Sequence, residues 1–446
     1  MSGSPPADGA AGPTRPGRRR VSGAVVFRHR DFQLYFFGKL LALLALYMLM
    51  VAITYQVYDL TGDPLDLAYI GLAIFAPAIG FALITGYVSD RFDRRLVLAL
   101  CYGVMLLTAI LFLVFTLSGW GEVWPVFLIL VVLGTGRAFY QPASNALLPN
   151  LVPTEEFPNA VAWNTTSNKT AQVCGPALGG LLYLLGPEVV YAGAAATFAA
   201  GTAMTAMIRT RSQREGREPT NLRTLLAGVR YVWEKKIILG AITMDLFVVL
   251  MGGVTALLPI YAKDILEVGP SGAGLLRSAM AAGGMVAALA LTQIPMRRAV
   301  GRILYVSVAI YGLATIVFGY SEWFVLSLIA MATLGGADMV SVYIRSTLLQ
   351  IATPDDMRGR VSAVNGVFVG ASNELGEFRA GLMAAWLGAV PAVVIGGIGS
   401  VIICAACWPL FPDLRRVQRM DRHMYAAPRE PGSDNARNRA AVDAAR

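Results

Sequence analysis

Glu374 and Glu377 stand three residues apart in a stretch otherwise rich in small and apolar residues. On a helix, side chains three or four apart share a face. Gly366, Gly370, Asn373, Glu374, Glu377 and Gly381 therefore make one polar stripe. Two carboxylates this close in an apolar setting disfavour double ionisation, which suits them to take up and release a proton. A second stripe, Thr165, Asn168, Lys169, Gln172 and Pro176, superimposes on the first at a lag of 201 residues. The same lag carries Arg137 onto Asp338, two unlike charges each about halfway along an apolar run. Lys39 and Asp245 form a looser counterpart nearer the ends of their runs. Ionisable groups at membrane depth are costly and mark functional sites. Asp338, Glu374 and Glu377 read as proton carriers; Arg137, Lys169, Gln172, Asn373 and Asn168 read as walls of a substrate cavity. Static pairing of the two glutamates with Lys169, Arg379 or Arg345 is the alternative. Lys39, in turn, could simply snorkel. The 2 histidines, His29 and His423, lie outside the apolar runs, so a buried histidine relay is excluded.

The elements that must position these groups are apolar runs of about 20 residues, the length that crosses a bilayer as a helix. The chain is 56% hydrophobic and only 15% charged, against roughly 25% charged in soluble domains. Runs fall at 32–58, 66–88, 96–117, 123–148, 156–185 and 188–208, and again at 237–262, 271–293, 303–320, 323–349, 361–386 and 389–411. The 4 cysteines all lie inside runs; Cys404 and Cys407, though spaced C-x-x-C, read as small core residues rather than a metal or redox pair. The N-terminal stretch has no short apolar region and no cleavage pattern, so insertion is expected through the first run.

Loop charge sets the expected topology. Alternate connections hold Arg91, Arg94 and Arg95; Arg209 to Lys236; Arg297, Arg298 and Arg302; Arg358 and Arg360. The other set holds one basic residue, Lys263. By the positive-inside rule both termini and the 209–236 linker face the cytoplasm. The net charge of +9 is thereby a topology signal and not a sign of nucleic-acid binding. Self-similarity at the 201-residue lag (Leu133-Gly134 on Leu334-Gly335, Asn164 on Asn365, Gly175 on Gly376, Gly180 on Gly381) makes the halves parallel six-helix repeats, the arrangement of transporters that rock about a central midplane site.

Three motifs carry a family resemblance. Residues Gly86 to Arg95 read G-x-x-x-D-R-x-D-R-R, with Asp90, Arg91, Arg94 and Arg95 in place and Asp93 where the pattern has glycine. This resembles the loop signature of the major facilitator superfamily. The resemblance implies a cytoplasmic gate at Asp90, Arg91, Arg94 and Arg95, to which Lys39 and Asp245 are added by position. The matching loop of the second half keeps Gly301-Arg302 without the aspartate. Gly175, Pro176, Gly179 and Gly180 resemble the G-P-x-x-G-G element of the superfamily's antiporters and would bend the fifth helix. The segments Thr353 to Asn365 and Gly370 to Phe378 are similar to the enterobactin-exporter branch, close to the drug:proton antiporters.

The expected fold is all-α: 12 transmembrane helices as two parallel six-helix repeats. Residues 1–24 would be a disordered tail, 25–208 the first bundle, 209–236 a linker, 237–411 the second bundle and 412–446 a second disordered tail. The expected activity is proton-coupled efflux of small amphipathic compounds, a siderophore such as enterobactin or drugs, by alternating access. The proton gradient is the energy source and no cofactor is needed. The chain would act as a monomer in the cytoplasmic (inner) membrane. An importer or uniporter of the same fold is the alternative; a lipid flippase or a non-transporting receptor stands further off. No H-E-x-x-H, no G-x-S-x-G with a partner histidine and no nucleotide-binding loop is present, which excludes the commonest hydrolases and an ATP-driven pump.

Overall fold

A computed structural model describes residues 24–81, 84–85, 88, 91–210, 222–294, 296, 299–354 and 357–418. After a short 3-10 turn, Val25–Arg28, come α1 (Arg30–Thr61), α2 (Pro64–Gly80), α3 (Arg94–Leu117), α4 (Trp124–Leu147), α5 (Phe157–Tyr183) and α6 (Pro187–Ala206). Then follow α7 (Leu222–Glu234), α8 (Lys236–Met251), α9 (Gly269–Gln293), α10 (Val300–Tyr320), α11 (Phe324–Ala352), α12 (Arg358–Leu387), α13 (Ala389–Leu410) and the single turn α14 (Pro412–Arg415).

Local chemistry sets several boundaries. Gly62, at φ +65°, ends α1 in the left-handed conformation, which costs glycine no Cβ clash. Asp63 then caps α2 by accepting from the Leu65 N–H at 2.8 Å, with Pro64 in the first turn. Asp93, the departure from the loop signature, caps α3: its carboxylate accepts from the Arg95 N–H at 3.1 Å and pairs with the Arg95 guanidinium at 2.9 Å.

Nine helices are long and apolar enough to cross a membrane among the described residues. They present large apolar side chains outward, Leu100, Leu117, Leu289 and Ile402 among them, a surface that water would not tolerate at this extent. Outside that set stand α2, α5 and α12. These three are also helices through which the two halves meet, so they face protein and a cavity and can carry polar residues.

The packing order repeats. In the first half α1 lies on α5 and α6, α3 on α4 and α6, and α2 on α4. In the second half α8 lies on α12 and α13, α10 on α11 and α13, and α9 on α11. Two broad seams join the halves, α5 against α9 and α2 against α12. Both close at the end where α1 stops and α2 starts. There Gly180 faces Pro270 and Gly274, and Gly381 faces Ala68, so closely that a Cβ would overlap the backbone opposite. At the same end Tyr58 donates to Asp264 and Lys263 pairs with Asp59. At the opposite end several polar contacts among the described residues lie within one half: His29 with Glu156 at 3.0 Å, Asp31 with Thr210, Arg95 with the Ile208 carbonyl at 2.6 Å, Tyr231 with the Ala352 carbonyl at 3.0 Å. The halves thus touch at one end and enclose a cavity deeper in.

Three features differ from the sequence expectation. The 209–236 linker contains a helix, α7, whose Gly228 seats against Arg360 and Val364 of α12. Residues 412–418, expected in the polar tail, are folded: Leu414 and Val417 are buried, and the Gly301 N–H donates to the Val417 carbonyl at 2.9 Å. The run 237–262 is not one continuous helix. It breaks at Gly252 and Gly253, continues as a 3-10 turn (Val254–Leu257) and ends in a π turn, Tyr261–Ile265. Gly253 holds φ +78° with its Cα against the Gly376 carbonyl, a placement closed to any side chain.

Candidate functional site

The central cavity has a volume of about 190 Å³ and takes its walls from both halves. Tyr47 of α1 and Lys169, Gln172 and Pro176 of α5 form one wall; Thr255, Arg277 and Met280 face them with Asp338 and Met339 of α11. A second, smaller cavity of about 80 Å³ lies within the second half, lined by Gly253, Thr255, Tyr311, Asn373 and Glu377, and Asp338 borders it too. A third void runs from Asp338 past Tyr311 and Ser341 to Asp245. Asp338 is therefore the common wall of all three.

The α8 break positions this chemistry. With α8 stopped at Met251, Thr255 turns toward α12 and donates to Glu377 at 2.7 Å. The last carbonyls of α8 would be orphaned at the break. Arg379 covers them, donating to Leu250 at 2.8 Å, to Gly252 at 2.9 Å and to Met251. A guanidinium at a helix C-terminus also opposes the negative end of the helix dipole. Arg379 accordingly does not pair with the glutamates.

Glu374 meets Arg137 of α4 instead, with nitrogen and oxygen 4.0 Å apart, an ion pair that spans the two halves. Lys169 donates to Gln172 at 3.2 Å. Asn373 lines the smaller cavity, while Asn168 is half-buried and lines none of the three. Arg345, another suggested partner, is buried against Asp245 as an ion pair inside the second half. Lys39 is 1% exposed, so it does not snorkel; it donates to the Asn164 side chain at 2.6 Å and lies over the rings of Tyr35 and Tyr140. Neither Lys39 nor Asp245 reaches across to the other half.

Of the expected gate, Asp90 lies outside the described residues. Arg91 is exposed, Arg94 is buried and donates to the Ala146 carbonyl at 3.2 Å, and Arg95 binds Asp93 and Ile208. In α5, Gly175 and Gly179 let α1 approach at Tyr47 and Met48, and Gly180 forms the α9 seam. Among the described residues all 4 thiols are free and no cluster could hold a metal. Sequence reading passed over Arg277, the sole cation within the 271–293 run, although an ionisable group inside an apolar run is by itself a functional candidate.

An all-helical chain whose two halves repeat one packing order around a charged cavity is a transporter of the major facilitator fold. The sequence profile of the transmembrane secretion effector family, a branch of that superfamily, matches residues 21–435, and the chain belongs to it. It is a multi-pass membrane protein and a secondary transporter, not an enzyme. Its curated relatives include the enterobactin exporter EntS of Citrobacter koseri, 27% identical over 405 residues (88% of this chain, 94% of that protein). The Escherichia coli SMS-3-5 protein of the same name is 26% identical over 413 residues, covering 90% and 96%. Among solved structures, a bacterial homologue of the human lysosomal transporter Spinster, inward-facing and unoccupied, superposes with a TM-score of 0.67 at 14% identity, covering 88% of this chain and 99% of that one. A bacterial homologue of the iron transporter ferroportin, inward-facing, gives 0.63 at 14% identity, covering 87% and 99%.

Proposed function

We propose that this protein exports small amphipathic compounds across the cytoplasmic membrane in exchange for protons. Twelve segments cross the bilayer in this reading: the nine apolar helices together with α2, α5 and α12. Residues 25–208 and 237–411 are the two moving halves, with both termini and the 209–236 linker in the cytoplasm. The closed α1–α2 end then faces outward and the cavity is reached from the cytoplasm. The enterobactin exporters among the relatives make a siderophore the first substrate to test, with drugs next. The bacterial relatives favour the cytoplasmic membrane, and a monomer suffices because both cavity walls come from one chain.

The observation that carries the proton coupling is the placement of Glu374, attached to the other half through Arg137, with Glu377 and Asp338 on neighbouring cavity walls. A proton on Glu374 removes its charge and weakens its hold on Arg137. The pair is partly exposed, so it contributes on the order of 1 kcal/mol. Moving a two-state equilibrium from 1:99 to 99:1 needs about 5.5 kcal/mol. Glu374 therefore acts together with Asp338, Glu377 and the bound compound, each contributing its differential affinity for the two states. In proteoliposomes, Glu377→Gln and Asp338→Asn are expected to insert normally and to lose proton-driven transport. Wild-type coupling in both variants would overturn the assignment.

A further inference from the structure

The charges on the central cavity are unevenly answered. Arg137 has Glu374, Glu377 has Thr255, and Arg379 has three carbonyls. Among the described residues Lys169 has the neutral Gln172 as its one hydrogen-bond partner and no ion pair. Arg277 and Asp338 have neither a hydrogen-bond nor an ion-pair partner among the described residues, yet all three are half-buried on one cavity. Lys169 feels Asp338, and Arg277 feels Glu374, only at longer range and without direct contact, and a half-buried charge answered only at that range recovers little of its lost solvation. Three such groups around one void are complementary to a ligand. Lys169 comes from α5 and Arg277 from α9, the two helices of one seam, so one anionic group between them would bind both halves. Met280, Met339 and Pro176 supply the apolar surface alongside.

The sign of the coupling adds a second requirement. This argument rests on the proton-exchange reading above. Exchange needs substrate and proton to oppose each other's binding; a site that favours both together carries them the same way. A purely anionic compound fails this test, because protonating Asp338 would make the cavity more positive and raise its affinity. The compound must also place a donor on Asp338, in competition with the proton.

We infer that the cavity takes an amphipathic compound with an anionic group, held between Lys169 and Arg277, and a separate donor group, a protonated amine or a hydroxyl, held by Asp338. Neither group alone satisfies both the unpartnered cations and the proton competition.

Three probes with one fluorophore separate the possibilities: dansylcadaverine (donor only), N-dansyl-6-aminohexanoate (anion only) and Nε-dansyl-lysine (both). Equilibrium binding to the purified full chain in nanodiscs, without any gradient, is the readout. Nε-dansyl-lysine is expected to bind about tenfold more tightly than either single-group probe, roughly one additional charge-assisted contact. Arg277→Gln is expected to bring it down to the level of dansylcadaverine, with Arg277→Lys restoring most of the difference. Asp338→Asn is expected to bring it down to the level of the hexanoate. Equal binding of all three probes, or an affinity order untouched by Arg277→Gln in a variant that elutes as a monodisperse peak, would overturn the inference. Because no gradient is present, the result stands apart from the coupling assay: a failure of proton-driven transport leaves this affinity order intact, and the reverse.

Discussion

The buried polar centres of the two halves occupy corresponding places and are built in opposite ways. In the first half Lys39 is buried beside Asn164, which also accepts from the Tyr35 hydroxyl at 3.1 Å, and Tyr35 meets the Ser144 hydroxyl at 2.8 Å. In the second half Asp245 and Arg345 neutralise each other. The 201-residue lag carries Ser144 onto Arg345 and Asn164 onto Asn365, and the Asn365 side-chain oxygen is buried without a hydrogen-bond partner among the described residues. One duplicated scaffold thus holds a lone cation among neutral oxygens on one side and a closed ion pair on the other. The difference teaches that the second half is locked by charge and the first by hydrogen bonds and aromatic faces. The carboxylates assigned to proton exchange also lie in the second half, and one of them, Asp338, is joined to Asp245 of the locked pair by a void.

That contrast breaks first at Asp245. Asp245→Ala leaves the Arg345 guanidinium buried without a counter-charge, and one-sided removal from a buried pair costs about 3–5 kcal/mol. Thermal unfolding in detergent should register it as the largest loss of any substitution in either centre. Replacing both partners, Asp245→Leu with Arg345→Met, should cost far less than the single change, since a buried pair and an apolar pair are often of similar stability. On the other side Lys39→Met removes a charge with no anionic partner and leaves Asn164 still bonded to Tyr35. The expected cost is below about 1.5 kcal/mol, one neutral hydrogen bond at most, and a gain in unfolding temperature fits equally. If Lys39→Met destabilises as severely as Asp245→Ala, the two centres are not opposites. The smallest effect belongs to the closed end. Lys263→Gln removes a partly exposed pair with Asp59, about 0.2–1 kcal/mol, and should slightly raise the labelling of a cysteine placed at Gln172 from the outer side. The increase should fade at high salt, where the pair is already screened in the parent protein.

The scaffold was legible because membrane spans impose long apolar runs and because the 201-residue lag preserves glycines at helix crossings. Lys169 and Gln172 were legible as cavity residues because polar groups at membrane depth have few other uses, and Asp338, expected as a proton carrier on the same ground, lines that cavity as well. The α8 break was hidden. Residues 237–262 are apolar apart from Thr243, Asp245 and Thr255, and what stops the helix is Gly253 pressed on Gly376 and Arg379 drawing off the carbonyls, both long-range contacts. Arg379 consequently looked like a partner for Glu374, while Arg137 holds that position from a helix more than two hundred residues earlier. The α7 helix escaped notice because its short apolar stripe has meaning only with α12 to receive it, and Leu414 and Val417 are buried by α10 and its neighbours rather than by any pattern of their own.

The direct test of proton exchange measures protons with no imposed pH gradient. Purified protein is reconstituted with a pH-sensitive dye in the lumen, and a transported compound is added outside, so that it flows inward down its own gradient. The account predicts that protons leave as the compound enters, that the lumen becomes more alkaline, and that Asp338→Asn abolishes the change. Acidification of the lumen would mean that compound and proton travel together, and no change would mean that they are not coupled; either result would contradict it.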